Sequence, residues 1–181
     1  MNKKIRWITE TAIMIALLVT LQALTKPMGQ LVTGSCVNTI LAVSVLVGGY
    51  SCGLTVALIS PVLAFLLGIA PQILTVPAIM VGNSVYVTLL HFLADPAAKN
   101  PGRQVCAWAI AAVGKFATLY LLVAKLICGV LSGSLIQAGV MKPPMVTALP
   151  ATFSWPQLFT ALIGGAIALT IVPLLKKALK K

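Results

Sequence analysis

Apolar runs about twenty residues long, broken by clusters of Gly, Pro and polar side chains, organise this chain. A helix needs about 20 apolar residues to cross a bilayer, so each run predicts a membrane span. The runs cover about 7–25, 32–48, 52–68, 72–93, 104–131 and 156–175. Span one stops at Thr25-Lys26-Pro27-Met28-Gly29, and span two closes at Gly48-Gly49. A polar loop from Asp95 to Arg103 follows span four, and Gly133, Gly139, Pro143, Pro144 and Pro150 mark a longer segment, about 132–155, before span six. The very short turns between spans two, three and four predict a tight antiparallel set. Their Gly, Ala, Ser and Thr residues let membrane helices approach closely. No internal repeat is apparent. The expected fold is an all-α integral membrane protein, a single bundle of six transmembrane helices in one domain over 1–181.

Composition agrees. Of 181 residues, 60% are hydrophobic and only 8% charged, against roughly 25% charged in soluble domains. That leaves no room for a soluble catalytic domain, a nucleotide-binding fold or a nucleic-acid-binding module, so any ATP-driven work must come from partners. The start, Met1 to Arg6, is basic, but the run from Trp7 to Leu24 is long for a signal peptide and no A-x-A site follows it. It reads as a retained first helix.

Charge sets the orientation. The net charge is +11, from 13 Lys and Arg against 2 Asp and Glu. With the N-terminus inside, Lys3, Lys4, Arg6, Lys99, Arg103, Lys176, Lys177, Lys180 and Lys181 mark the cytoplasmic side, nine in all. Only Lys26 and Lys142 fall outside. Positive loops stay in the cytoplasm, so nine against two predicts six spans with both termini cytoplasmic. A seventh would spoil the count.

Lys115 and Lys125 lie inside span five. A lysine at mid-bilayer costs about 2.5–3.5 kcal/mol on insertion scales and normally faces a bundle interior or cavity. Ala111, Lys115, Thr118, Leu122, Lys125 and Gly129 follow alternating four- and three-residue steps, which predicts one small and polar helix face. Two roles stay open for each lysine. Lys125 either snorkels to the outer headgroups or anchors an anionic ligand group. Lys115 either meets a structural partner such as a backbone carbonyl or does the same. Lys125 is the favoured anchor and Lys115 the second. Neither acid of the chain, Glu10 or Asp95, is expected near the outer half, so the substrate is expected to bring the negative charge, as a carboxylate or similar group.

Other polar or aromatic side chains in the outer half could line the same cavity: Gln22, Gln30, Thr33, Ser35 and Asn38, then Gln72, Thr75, Asn83 and Tyr86, then Tyr120, Trp155, Gln157 and Phe159. Asn38 and Asn83 stand out because a mid-helix amide needs a partner. Each of these equally suits helix-to-helix bonding, and Trp155 suits the aromatic belt. His91 and Asp95, four apart, fit a stabilised helix end better than a proton relay. Cys36, Cys52, Cys106 and Cys128 lie in apolar runs with no C-x-x-C pair. They read as buried thiols rather than a disulfide framework or metal site. Enzyme chemistry is not expected, for want of paired acids, H-E-x-x-H or a serine elbow, and no cofactor or metal is implied.

Ala12 and Ala16 form an A-x-x-x-A step on span one, continued by Thr20. The run Val45-Leu46-Val47-Gly48-Gly49-Tyr50-Ser51-Cys52-Gly53 joins spans two and three. Together with six spans, internal termini and short connections, these features resemble the substrate-binding S component of energy-coupling-factor (ECF) vitamin transporters. The resemblance covers nearly the whole chain in architecture, and its one specific motif is the alanine step. It implies a membrane-embedded subunit, in the cell membrane of a bacterium or archaeon, that captures a small vitamin or related micronutrient near the outer face. It implies docking of Ala12 and Ala16 on a transmembrane coupling protein powered by two ABC ATPases, toppling in the lipid to release cargo, and a lid formed by Lys26 to Leu31. The rival expectations are a stand-alone small permease or anion channel lined by the two lysines, and a non-transport membrane assembly subunit.

Overall fold

The structure is a computed structural model describing residues 2–69, 72–94 and 101–179. It is all-helical, with no strand among the described residues. In chain order the helices are α1 (Lys3–Thr25), α2 (Gln30–Gly48), α3 (Tyr50–Leu66), α4 (Val76–Leu93), α5 (Pro101–Leu119), α6 (Ser132–Gln137), α7 (Met145–Thr152) and α8 (Trp155–Ala178). Short 3-10 turns precede α2 and α4, and α5 runs on as a π-helix over Tyr120–Val130.

Five helical stretches are long and apolar enough to cross a membrane: Lys3–Met28, Gln30–Gly48, Ile73–Leu93, Gly102–Val130 and Met145–Ala178. The sixth expected span, α3, has 17 residues. At 1.5 Å per residue it is about 25 Å long, short of a roughly 30 Å hydrocarbon core. The polar loop expected after span four falls largely on 95–100, and Asp95, Lys99, Lys180 and Lys181 lie outside the described residues.

Helix α2 is the centre of the bundle, packing on α8, α1, α3 and α4. Half of its apolar window is buried (50%), against 11% for that of α1, which lies on the flank. The main core gathers Leu18, Leu41, Val56, Tyr86, Leu90 and Ala161, all at most 2% exposed. Large apolar side chains such as Ile13, Leu17, Leu66, Val130 and Leu174 face outward. An outer surface so apolar suits lipid rather than water.

Close approach of α2 and α8 depends on missing side chains. A Cβ on Gly164 would lie 2.5 Å from the Ser35 carbonyl oxygen and 2.9 Å from the Thr39 nitrogen. The Thr39 hydroxyl uses that proximity to reach the Gly164 carbonyl at 3.1 Å. At the turn between α2 and α3, Gly49 has φ 89°, a conformation that glycine adopts without strain.

The segment 132–155, expected only as a broken connection, folds into α6 and α7. With the π-helical stretch they enclose a second apolar cluster of Leu119, Val123, Ile127, Met141, Leu149 and Phe153. Proline spacing hid α7. Pro144 caps α7 and Pro150 lies within it, so the sequence reads as loop where tertiary packing holds a helix. Of the cysteines, Cys52 and Cys128 are buried and Cys36 half-buried. Cys106 is exposed, correcting the expectation that all four are buried.

Candidate ligand cavity

A cavity of about 290 Å³ opens at one end of the bundle. It is bounded by the end of α1, the start of α2, the first half of α4, the second half of α5, α7 and the start of α8. This end is opposite the basic helix ends that carry Lys3, Lys4, Arg6, Arg103, Lys176 and Lys177.

Lys115 forms its floor, 2% exposed. Its ammonium donates to the Asn38 Oδ1 at 2.6 Å and to the Asn83 Oδ1 at 2.7 Å. Three helices meet at this point, since Asn38 comes from α2, Asn83 from α4 and Lys115 from α5. Asn38 is fixed in turn. Its Nδ2 donates to the Gly34 carbonyl at 2.9 Å and to the Thr160 hydroxyl at 3.2 Å, and Thr160 donates to the Gln157 carbonyl at 3.1 Å. The Tyr86 ring lies 5.6 Å from the Lys115 Nζ, and its hydroxyl lies 3.5 Å from the Ala161 carbonyl, toward which Trp108 donates at 3.3 Å. Tyr86 is wholly buried, so the bundle is filled there.

The walls are mixed. Val37, Ile79, Leu119, Leu149 and Phe153 make the apolar part, and Gln22, Gln30, Thr33, Thr152 and Gln157 the polar part. The cavity lies on the seam between the two apolar clusters. Val37 packs against the main core, whereas Leu119, Leu149 and Phe153 belong to the outer cluster. At the rim, the Lys26 ammonium donates to the Gly68 carbonyl at 2.9 Å. Lys26, Gly29 and Gln30 line the cavity, so the start of the segment expected as a lid borders the opening.

No carboxylate among the described residues lines this cavity. Glu10 is engaged with Arg6 at 2.9 Å on the first turns of α1. The Lys115 ammonium is held by two neutral carbonyls, which bring no counter-charge of their own. It has three N–H donors, two of which the asparagines take.

Several expected site residues thus converge: Lys115, Asn38, Asn83, Gln157, Gln22, Gln30 and Thr33. Others do not. Lys125 is exposed and lies 5.5 Å from the Tyr120 ring. The reason is the π-helix. Hydrogen bonds from i to i+5, such as Leu131 N–H to the Leu126 carbonyl at 2.9 Å, turn each residue through a smaller angle than the α-helix's roughly 100°. A stripe laid out at α-helical spacing shears, and Lys125 leaves the face of Lys115. Of the two expected anchors, Lys115 lines the cavity and Lys125 does not. Lys125→Ala is expected to leave ligand affinity within about twofold, as an exposed lysine outside the lining should; equilibrium dialysis checks this.

Tyr120 and Trp155 also fall outside the cavity. Phe116 stacks between them, with ring centroids at 6.0 and 5.5 Å, and Trp155 and Phe159 border a shallow outer groove. The Ser35 hydroxyl donates to the Leu31 carbonyl and that of Thr75 to the Gln72 carbonyl. His91 stacks on Tyr50 at 4.9 Å; its expected mate Asp95 lies outside the described residues. The sequence placed Lys26 as an outer-loop charge and at the start of the implied lid rather than in the lining, and it missed the contributions of α7. Asn38 and Asn83 carried a signal, a buried amide in mid-span.

Comparison with known protein families, with curated proteins and with solved structures finds no match to this chain. The functional reading therefore rests on the cavity.

Proposed function

We propose that this chain is the membrane-embedded substrate-binding subunit of an ECF-type transporter. It spans the cell membrane six times with both termini in the cytoplasm. It captures a small, anion-bearing vitamin or related micronutrient at the outer face for uptake driven by partner ATPases. The observation that carries this reading is Lys115, held by Asn38 and Asn83 at the floor of a cavity with no acidic lining. Topology is supported by the nine-to-two division of basic residues and by the cavity's position away from the basic helix ends. In this orientation α3, bounded on both sides by turns, crosses a locally thinned bilayer.

Docking to a coupling protein is supported by α1. Ala12 and Ala16 are exposed beside outward-facing Ile13 and Leu17, a small-residue face free to meet another helix. Ala12→Trp or Ala16→Trp is expected to abolish uptake of labelled substrate while leaving its binding intact; transport that survives both makes the face merely structural. A permease or channel is less well supported, because the space beneath Lys115 is filled by Tyr86 and the main core.

The deciding experiment is a mild-detergent pull-down of the tagged protein from native membranes, read by mass spectrometry. Two ABC ATPases and one further membrane protein in comparable amounts support the transporter. The protein alone, or as a homo-oligomer, replaces it with the channel. Other membrane partners without ATPases favour the assembly subunit.

A further inference from the structure

Four features of the cavity bear on its occupant together. The floor presents one ammonium whose two asparagine partners leave a single N–H donor. The charge has no acidic partner among the described residues of the lining. Above the floor the wall carries an apolar part, Val37, Ile79, Leu119, Leu149 and Phe153, in which Phe153 is the one aromatic ring among the described residues. At about 290 Å³, the space sits at the low end of the roughly 300–1,000 Å³ typical of ligand pockets.

We infer that the cavity binds a small monocarboxylate, acid end inward on Lys115, with an apolar aliphatic or single-ring body against Val37, Ile79, Leu119 and Phe153. The inference rests on the binding-subunit reading only in taking this cavity as the ligand site. A carboxylate oxygen matches one donor and neutralises one charge. A phosphate monoester brings three terminal oxygens and close to two charges. At this floor most of those oxygens would be stripped of water without a donor in exchange, which is unfavourable. A neutral amide of the same shape could accept the hydrogen bond but would leave the ammonium uncompensated. The remaining polar side chains of the lining, Gln22, Lys26, Gln30, Thr33, Thr152 and Gln157, are available to a polar group elsewhere on the ligand.

Asn83 and Lys115 provide paired tests. Lys115→Gln keeps N–H donors for both asparagine carbonyls and removes the charge. Asn83→Asp is nearly isosteric, keeps an oxygen toward the ammonium and supplies an internal counter-charge. Each should lower affinity for the acid by about thirtyfold or more, as loss of a buried charge partner does. If Lys115→Gln fails to fold, Asn83→Asp still decides the matter, because it adds an attractive partner.

The protein is purified in mild detergent from cells grown on rich medium and then denatured, and the released small molecules are identified by mass spectrometry. The wild type should release one monocarboxylate in near-stoichiometric amount, and both variants far less. Rebinding of that acid should persist in excess inorganic phosphate, and its primary amide should bind about thirtyfold more weakly. Release of a phosphate ester or a neutral compound, equal loading of the variants, or release of nothing overturns the inference. ATPases co-purifying alongside a phosphorylated or neutral cargo would sink the carboxylate alone and leave the transporter standing. A released acid without ATPases would do the reverse.

Discussion

Asn38→Leu combined with Asn83→Leu is expected to destabilise the detergent-solubilised protein by roughly 3–5 kcal/mol, the usual consequence of leaving a buried charge without its partners. Adding Lys115→Met to that pair is expected to restore most of the loss, since replacing every member of a buried polar set with apolar groups of similar shape is nearly neutral. The two asparagine carbonyls hold the Lys115 ammonium at 2.6 and 2.7 Å. Leucine is close to asparagine in shape, so the double variant removes the acceptors with little change in packing. The Thr160 hydroxyl that Asn38 contacts still donates to the Gln157 carbonyl at 3.1 Å, so no second buried group is orphaned. Thermal denaturation followed by tryptophan fluorescence, with ligand binding measured in parallel, separates the outcomes. The triple variant should be stable and unable to bind. A double variant as stable as the wild type would mean that the asparagines do not support the lysine.

Gly164→Val is expected to destroy the α2–α8 contact and with it the folded protein. Its Cβ alone would meet the Ser35 carbonyl oxygen at 2.5 Å, the Asn38 Cβ at 2.7 Å and the Thr39 nitrogen at 2.9 Å. Two of these are backbone atoms, which cannot rotate away. Overpacking typically destabilises by about 1–3 kcal/mol, and a clash with the backbone of the central helix belongs at or above the top of that range. Asn38 would shift too, so any folded remainder should bind ligand poorly. The control is Gly133→Ala in α6, where an added Cβ meets nothing within 4 Å and should be tolerated. Monodispersity on size-exclusion chromatography reports the difference. A monodisperse Gly164→Val protein with wild-type melting would show that α8 can move aside.

The long spans were legible because an apolar run of that length has few alternatives. Lys115, Asn38 and Asn83 were legible singly, each being a polar group whose depth demands a partner. That they partner one another was not, because it depends on the relative rotation of α2, α4 and α5, which one chain's periodicity does not specify. Lys125 lies off the cavity lining for a local reason. Nothing in Tyr120–Val130 announces i to i+5 hydrogen bonding, and a shift in winding moves every later residue off its expected face. The small helix α7 was hidden by Pro144 and Pro150 and the short α6 by Gly133 within it, and the share of the wall supplied by Leu149, Thr152 and Phe153 went with α7.

The seam between the two apolar clusters has a kinetic meaning. The smaller cluster, under α6 and α7, has few members, so it should open at a lower free energy than the bundle and independently of it. A ligand seated between Lys115 on one side and Leu149 and Phe153 on the other acts as a rivet joining two units that otherwise breathe separately. Occupancy should merge their amide-exchange behaviour into one. Cargo would then leave no faster than the outer unit opens, so how long the protein holds its ligand is set by the melting of its smaller core.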